Sequence, residues 1–310
     1  METLLNNNPH RKFSIDFAKD YIITMRPYLL FVSGVTGICG MSFISELSVS
    51  KSILIFLASF LSYGFGQALT DCFQTDTDSI SSPYRPLTQG RISKSQVLVV
   101  SITGLILCII IFAIYNPINL LLGALSGFGL ATYTYFKRKF WSGPFYNAWI
   151  VAVLFLMAYL CGSDILTFTG NHKFIYGLSA VFWGYANFVL VGYFKDVEAD
   201  RATGYNTFLV VFGRRLSSIA SNIFGLITIL TTLSVFTYSN SIDQPIEEKP
   251  YETIIFAIGI LAMFLCQVLV HFIRKDDESS KAISLSVHGY ILLLSSIIVL
   301  NKNEWFILMI

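Results

Sequence analysis

Two acidic clusters in this 310-residue sequence combine residue types and spacings that suit metal and phosphate chemistry. In the first, Asp71, Gln74 and Asp78 are spaced i, i+3 and i+7, so on one continuous helix their side chains share a face. In the second, Asp196 and Asp200 are spaced i, i+4 and also share a helical face. Each cluster follows a long apolar run, where ionisable side chains are costly and usually mark a functional site.

Carboxylates held close together raise one another's pKa unless a cation separates them. Their hard oxygen atoms favour Mg²⁺ or Ca²⁺ over Zn²⁺, and Mg²⁺ commonly binds one or two protein carboxylates together with substrate phosphate oxygens. The two clusters therefore predict a pair of Mg²⁺ ions clamped onto a phosphorylated substrate. Basic residues that can bind phosphate oxygens lie close to both clusters: Arg85, Lys137, Arg138, Lys195 and Arg201.

The elements that must position these clusters are membrane-spanning helices. Of the residues, 54% are hydrophobic and 13% are charged, whereas soluble domains carry about 25% charged residues. A spanning helix needs about 20 mainly apolar residues. Nine stretches meet this requirement: 22–45, 52–73, 95–115, 117–135, 146–163, 174–194, 215–238, 252–273 and 284–301. We therefore predict an all-α fold, a polytopic transmembrane bundle of about nine helices around a central cavity, forming one domain over residues 1–310.

Loop charge orients this bundle. With the N-terminus inside, only Lys51, Lys173, Lys249 and Lys302 of the 21 Lys and Arg residues fall in outer segments. Basic residues collect on the cytoplasmic side of membrane proteins, so both acidic clusters are expected there too. Residues 1–20 lack an apolar core and are interpreted as a cytoplasmic lead-in rather than a signal peptide. Without a targeting segment, we expect a bacterial cytoplasmic membrane.

Two other classes of function receive no support from the composition. The net charge of +2 is too small to indicate a nucleic-acid partner, and no basic patch with interleaved aromatic residues is present. The five cysteines lie in or beside apolar runs without Cys-x-x-Cys spacing, as expected of buried hydrophobic residues rather than metal ligands.

Longer motifs surround the two clusters. The first reads Thr70-Asp71-x-x-Gln74-x-x-x-Asp78 and precedes Pro83-Tyr84-Arg85-Pro86-Leu87, and the second reads Lys195-Asp196-x-x-x-Asp200-Arg201-x-x-Gly204. Two smaller elements accompany them, Tyr133-x-x-x-Lys137 and Arg26-Pro27. With these motifs the whole chain resembles the UbiA superfamily of intramembrane prenyltransferases. It departs from that pattern where Thr70 replaces the usual Asn and Gln74 the usual Asp.

The resemblance implies a specific reaction. A prenyl diphosphate would ionise with the help of Mg²⁺, and the allylic group would pass to a lipophilic, possibly aromatic acceptor with release of pyrophosphate. The catalytic and metal-binding residues implied are Asp71, Gln74, Asp78, Asp196 and Asp200. Those implied for the diphosphate are Arg85, Tyr133, Lys137, Lys195 and Arg201. Because Gln74 offers only a neutral oxygen, we expect weaker metal binding in the first motif.

Polar residues inside apolar helices supply candidates for the acceptor side of the cavity. Gln67, Asn147 and Asn187 need hydrogen-bond partners at membrane depth, so they either orient an acceptor or bond one helix to another. Tyr185 shares a helix with the second motif, and its ring could stabilise a carbocation. His288, in the last helix, is interpreted as structural.

Three classes of function remain open at this point. The first is the Mg²⁺-dependent prenyltransferase, and the second is a UbiA-type terpene cyclase that closes the carbocation on itself without an acceptor. The third is a non-catalytic transporter or scaffold with intramembrane polar residues. Product formation from a prenyl diphosphate with and without an acceptor separates the three.

Overall fold

A computed structural model describes residues 14–163, 171–240 and 250–308 of the chain. Within these ranges the fold is entirely helical, with twelve α-helices and short 3-10 turns between them. The α-helices are α1 (Ile15–Met25), α2 (Leu30–Ser42), α3 (Val49–Asp71), α4 (Thr75–Ser81), α5 (Lys94–Tyr115), α6 (Ile118–Lys139), α7 (Gly143–Leu160), α8 (His172–Gly192), α9 (Val197–Ala202), α10 (Phe208–Asn240), α11 (Pro250–Val270) and α12 (Ser280–Asn301).

Eight of the nine predicted apolar stretches each overlap one long helix, and the ninth, 22–45, overlaps the broken α1–α2 pair, so the all-α polytopic bundle is confirmed. Over the described ranges, seven helices are long and apolar enough to cross a membrane, and the α1–α2 pair, bent by 41° at its break, makes an eighth. The stretch 117–135 is the exception, because α6 is less apolar than the other long helices and is not among these spans. Its last turn carries Lys137, Arg138 and Lys139. The predicted count of about nine spanning helices therefore includes α6, whose polar residues line the cavity described below.

Local sequence signals fix several helix ends. The Ser14 side chain accepts a hydrogen bond from the backbone N–H of Phe17 at the start of α1. Ser93 and Gln96 form a reciprocal capping box at the start of α5, and Asn171 caps α8. These caps satisfy backbone groups that would otherwise lack partners at the helix ends.

The first acidic cluster does not lie on one continuous helix, so that prediction is wrong. Helix α3 ends at Asp71, Gln74 is the residue that precedes α4, and the chain turns between them. The break separates Asp71 and Asp78 onto two helices. Their side chains nevertheless meet, because both contact Arg85 in the segment that follows α4.

Close helix packing forms the centre of the bundle. Helices α8 and α12 are the two most buried spans. Helices α2 and α12 are joined by a hydrogen bond of 2.6 Å between the Thr36 and Tyr290 hydroxyl groups. A Cβ atom at Gly40 would lie 2.3 Å from the carbonyl oxygen of Phe155, so α2 and α7 can approach this closely only with glycine at that position.

The short helices α4 and α9 meet at one end of the bundle. The Thr77 and Thr203 side-chain oxygens lie 3.1 Å apart, within hydrogen-bond distance. Each short helix follows a long one, α3 and α8 respectively, and each carries the later acidic residues of its motif. The two motifs therefore reach the same end of the bundle by the same succession of a long helix, a break and a short helix.

Candidate active site

A cavity of about 280 Å³ lies under the end of the bundle where α4 and α9 meet. Three of the four predicted carboxylates line it, together with four cationic side chains. The charged and amide residues on its wall are Arg26, Gln67, Asp71, Gln74, Asp78, Arg85, Lys137, Asn147, Lys195 and Asp196. The two motifs therefore converge on one site, as the sequence predicted.

The carboxylates of the first motif are held by arginine. Arg85 lies 3.6 Å from the Asp71 carboxylate and 2.5 Å from that of Asp78. Asp71 also accepts a hydrogen bond of 2.9 Å from Arg26 and one of 2.7 Å from the Gln67 amide. Asp71 thus contacts Arg26, Arg85 and Gln67, whereas the Asp78 carboxylate contacts Arg85.

Arg26 lies at the break between α1 and α2, and its backbone is left-handed, with φ of 54°. A non-glycine residue in this region is strained, and such strain clusters at functional sites. The break places the Arg26 side chain on the cavity wall beside Asp71. The Arg26-Pro27 element therefore lies at a break, which interrupts the predicted apolar stretch 22–45 between α1 and α2.

The second motif is organised differently. The Asp196 carboxylate lines the cavity, and its buried Oδ1 accepts no hydrogen bond from the described residues. Asp200 is fully buried and lies outside the cavity lining, where it accepts a hydrogen bond of 3.2 Å from Lys137. Asp200 therefore binds Lys137 on the side away from the cavity. The expectation that the Asp200 carboxylate faces the cavity is wrong.

Lys137 occupies an aromatic and carboxylate environment. Its ammonium lies 4.9 Å from the centre of the Tyr193 ring and 5.1 Å from that of Tyr205. It also donates to the Gln74 side-chain oxygen at 3.4 Å. Tyr133 lines the cavity, and its hydroxyl oxygen lies 2.7 Å from that of Tyr193. Lys137 thus connects the two motifs and stays charged among π faces and a buried carboxylate.

Two carboxyl groups outside the spanning segments have raised pKa values. Burial, and then the negative charge of Asp71, raise the pKa of Asp78 to about 6, and Arg85 only partly opposes them. Burial also raises the pKa of the Asp200 carboxyl, against the opposing effect of Lys137. Perturbed carboxyl groups in a cavity are common at functional sites.

The residues present fit a magnesium ion. Over the described part of the chain, no three His, Cys, Asp or Glu side chains lie close enough to form a ready-made metal site. Mg²⁺, however, needs only one or two carboxylates when substrate phosphates supply the remaining oxygens. The unpartnered Oδ1 of Asp196 is a buried anionic oxygen without a donor, which is a position that a cation can satisfy.

Arg201 and Asn187 are corrections to the sequence-based assignment. Arg201 is exposed and does not line the cavity. It follows the buried Asp200 on α9, so its side chain points about 100° away from that of Asp200. Asn187 is fully buried between helices, where it accepts a hydrogen bond of 2.7 Å from Ser221 and donates one of 3.2 Å to the Met263 sulfur. Of the two interpretations left open for Asn187, the structure supports interhelical bonding.

The other acceptor candidates do lie on the cavity wall. Asn147 and Tyr185 line it, and Gln67 lines it while donating to Asp71. His288 lines a second, larger cavity of about 1470 Å³ between α2, α3 and α12. Four residues line both cavities, namely Tyr28, Leu29, Lys195 and Ile283, so the two spaces adjoin at Lys195.

Sequence reasoning missed the contacts that hold the site from outside. Arg138 pairs with Asp76 and donates to the Tyr205 hydroxyl at 3.0 Å, which ties α4, α6 and the segment after α9 together. Arg138 had been counted among the basic residues that can bind phosphate, but Arg138 does not line the cavity, and Asp76 had been assigned no role. No short-range pattern signals this contact, because Arg138 lies 62 residues from Asp76 and 67 from Tyr205.

Comparison with known proteins identifies a family for this chain. The UbiA prenyltransferase family matches residues 33–296. Digeranylgeranylglyceryl phosphate synthase from Thermococcus sibiricus is 30% identical over 219 residues, covering 69% of this chain and 76% of that protein.

Solved structures share the fold. A UbiA homologue from Aeropyrum pernix superposes with a TM-score of 0.72 at 16% identity, covering 88% of this chain and 97% of that one. A UbiA homologue from Archaeoglobus fulgidus, solved with DMAPP and Mg²⁺, gives 0.64 at 18% identity, covering 89% and 99%. The chain therefore belongs to the UbiA prenyltransferase family, and it is a multi-pass membrane enzyme that transfers a prenyl group to an acceptor.

Proposed function

We propose that this enzyme transfers the prenyl group of a prenyl diphosphate to a lipophilic acceptor that carries a phosphate group, with Mg²⁺ as cofactor and pyrophosphate as the second product. The observation that carries the proposal is the cavity wall, where Asp71, Asp78 and Asp196 lie among Arg85, Lys137 and Lys195. A diphosphate needs both a metal held by carboxylates and cationic donors, and this wall offers both.

The diphosphate would lie at the polar end of the cavity. Asp196, Asp78 and the Gln74 side-chain oxygen would hold Mg²⁺, which when bound there neutralises charge on the leaving pyrophosphate. Arg85 and Lys137 are oriented by the carboxylates they contact, so they are preorganised to receive phosphate oxygens. Asp200 contributes indirectly, because it fixes the position of Lys137.

The prenyl chain would extend into the apolar end of the same cavity. Leu105, Cys108 and Phe112 of α5 line this end, and Leu154 and Met157 of α7 face it. These side chains exclude water from the carbon that loses the diphosphate, which protects an allylic cation from hydrolysis. Tyr133 and Tyr185 contribute aromatic rings on the path between the two ends.

The acceptor would arrive through the larger cavity. That cavity is lined by apolar residues of α2, α3 and α12, and it meets the reaction cavity at Lys195. Lys195 makes no hydrogen bond or ion pair with the described residues, so its ammonium is available to an anionic headgroup. The Thermococcus relative is named for a lipid phosphate product, which favours a phosphate-bearing acceptor over the aromatic acceptor that the sequence left open.

The orientation and membrane also belong to this proposal. The distribution of Lys and Arg over the loops supports a cytoplasmic position for the N-terminus and both acidic motifs. Relatives from Thermococcus, Pyrococcus and Methanocaldococcus are archaeal, and they give no support to the earlier expectation of a bacterial membrane.

An incubation with and without acceptor tests the reaction. Purified enzyme is supplied with Mg²⁺ and geranylgeranyl diphosphate, alone, with a singly prenylated glyceryl phosphate, or with 4-hydroxybenzoate. We expect a doubly prenylated lipid and pyrophosphate only with the glyceryl phosphate. A cyclic hydrocarbon or alcohol formed without acceptor would establish the cyclase instead, and an alkylated benzoate would establish an aromatic acceptor. No pyrophosphate under any condition would leave the non-catalytic class.

A further inference from the structure

The second acidic motif lies on a segment too short to hold its own shape. Asp196 stands between a three-residue 3-10 turn, Tyr193–Lys195, and the six-residue helix α9. Isolated helices of this length are unstable in water, because the first turn fixes several residues for each hydrogen bond formed. The position of the Asp196 carboxylate therefore depends on contacts from elsewhere in the chain.

Arg214 supplies one of those contacts. Its guanidinium donates a hydrogen bond of 3.3 Å to the carbonyl oxygen of Phe194, two residues before Asp196. The preceding residue, Gly213, has φ of 73°, a conformation that glycine adopts without strain. This kink inside α10 begins the long second part of the helix at Arg214, beside the motif.

Asp276, from the segment between α11 and α12, supplies the other contact. One carboxylate oxygen accepts a hydrogen bond of 2.9 Å from the backbone N–H of Glu198, two residues after Asp196. The other oxygen pairs with the Arg214 guanidinium. Both side chains of the pair are about 80% shielded, with exposures of 21% for Arg214 and 19% for Asp276. The backbone is thus fixed on both sides of Asp196 by two side chains that also fix each other.

We propose that Arg214 and Asp276 are positioning residues that hold Asp196 at the geometry needed to bind the Mg²⁺–diphosphate complex. Neither residue lines the reaction cavity, although Asp276 also lines the larger one, and both reach Asp196 through hydrogen bonds to the backbone of the motif. Because positioned groups lose efficiency steeply when displaced, a shift of about 1 Å in Asp196 is expected to reduce turnover by about 100-fold. The proposal rests on the proposed Mg²⁺-dependent reaction.

Arg214→Gln is the principal variant, and Arg215→Gln is its matched control. Arg215 is the next residue, is exposed and makes no hydrogen bond or ion pair with the described residues, so its replacement removes the same charge from the same helix. For Arg214→Gln we expect the Mg²⁺ concentration at half-maximal activity to rise about 10-fold and kcat to fall by about 10–100-fold, with the acceptor KM unchanged. Arg214→Lys keeps the charge but not the two-pronged geometry and should recover part of the loss.

A second measurement does not depend on activity. Geranyl diphosphate with Mg²⁺ should raise the melting temperature of the wild-type enzyme and of Arg215→Gln, because a ligand that binds only the folded state stabilises it. The rise should be much smaller for Arg214→Gln. In metal-free buffer, the melting temperature of Arg214→Gln should differ from that of the wild type by less than the loss in this ligand-induced rise. Should Arg214→Gln fail to fold, Asp276→Asn replaces it, since asparagine keeps an acceptor for the Glu198 N–H and loses only the charge pairing.

The double variant Arg214→Gln/Asp276→Asn decides whether the pair acts as a unit. We expect the Mg²⁺ concentration at half-maximal activity of the double variant to equal that of the more impaired single variant, because the effects of substitutions in one network do not add. A wild-type Mg²⁺ requirement in the single variants, or additive effects in the double variant, would overturn the positioning role of Arg214 and Asp276 while leaving the proposed function intact. A wild-type enzyme that turns over without Mg²⁺ would overturn the proposed function itself.

Discussion

The two acidic motifs reach the same cavity but are neutralised in different ways. In the first, Asp71 and Asp78 share Arg85, and Asp71 has Arg26 and Gln67 in addition. In the second, Asp196 has a buried oxygen that accepts no hydrogen bond within the described ranges of the chain. Its motif partner, Asp200, faces away from the cavity towards Lys137.

This difference indicates a division of labour. A metal ion that binds Asp71 has to compete with two guanidinium groups and one that binds Asp78 with one, whereas Asp196 offers an oxygen without a donor among the described residues. The first motif is therefore suited mainly to positioning arginines for the diphosphate, with Asp78 and the Gln74 oxygen as secondary ligands, whereas Asp196 is suited to be the principal Mg²⁺ ligand. The replacement of an acidic residue by Gln74 fits this division, since it removes charge from the half of the site that relies least on metal.

Replacing the central carboxylates gives the largest expected effect and separates the two roles. Asp71→Asn and Asp196→Asn should each reduce turnover by about 1000-fold or more, as expected when charge stabilisation of the leaving group is lost. Only Asp71→Asn should also destabilise the metal-free protein, by about 3 kcal/mol, because Arg26 loses its buried partner. Asp196→Asn should leave metal-free stability nearly unchanged, since the buried Asp196 Oδ1 accepts no hydrogen bond from the described residues that the substitution could remove.

Thermal melting in EDTA, alongside initial rates, measures both quantities. Asp16→Asn is the control, because Asp16 is an exposed carboxylate at the start of α1, away from the cavity. Equal destabilisation by the two cavity variants would remove the proposed division of labour.

Removing Arg85 tests the first motif's role in diphosphate binding. Arg85→Gln should raise the KM for the prenyl diphosphate by about 10–100-fold, the loss expected from one or two charge-assisted hydrogen bonds. Arg201→Gln should change this KM little, because Arg201 is exposed outside the cavity. Steady-state kinetics at saturating acceptor measure the effect. If Arg201→Gln proves the more damaging of the two, the sequence motif describes the site better than the geometry.

Much of the architecture is visible in the sequence because apolar runs of spanning length are a strong, local signal. Each predicted stretch overlaps a helix, and the motif residues Asp71, Gln74, Asp78 and Asp196 line one cavity. Periodicity alone could not place the break after Asp71, because that break is stabilised by Arg85 and Arg26, which lie elsewhere in the chain.

The supporting contacts were beyond sequence reasoning for the same reason. Arg214 and Asp276 are 62 residues apart, and each resembles an ordinary loop charge in the sequence. Asn187 and Gln67 looked alike as amides in apolar helices, yet one bonds helices and the other orients Asp71. Only the packing of the bundle decides between such alternatives.

Restoring the missing acidic residue should have a moderate effect. Gln74→Asp adds a carboxylate beside Lys137, which now lies 3.4 Å from the Gln74 oxygen. The new carboxylate will interact with both Lys137 and the metal. We therefore expect the Mg²⁺ concentration at half-maximal activity to fall by only about 2–5-fold, less than for a carboxylate that binds the metal alone. Thr70→Asn, which restores the other departure, should change little because the Thr70 hydroxyl donates within its own helix to Gln67. An unchanged Mg²⁺ titration of Gln74→Asp would place residue 74 outside the metal's reach.

The smallest expected effect concerns protons at Asp78. Its pKa of about 6 lies above the ordinary value because burial and Asp71 disfavour the charged form. The protonated form therefore stabilises the metal-free fold, and this stabilisation is complete below the unfolded pKa of about 4 and lost as pH rises through 6.

Mg²⁺ binding to the charged form should then release about half a proton at pH 6 and almost none at pH 8. Calorimetric titration of Mg²⁺ with geranyl diphosphate, in two buffers of different ionisation enthalpy, measures this release. Asp78→Asn should abolish the buffer dependence that is specific to the site. A buffer-independent heat for the wild type at pH 6 would show that Asp78 keeps its arginine when the metal binds, and that the second motif alone supplies the carboxylate.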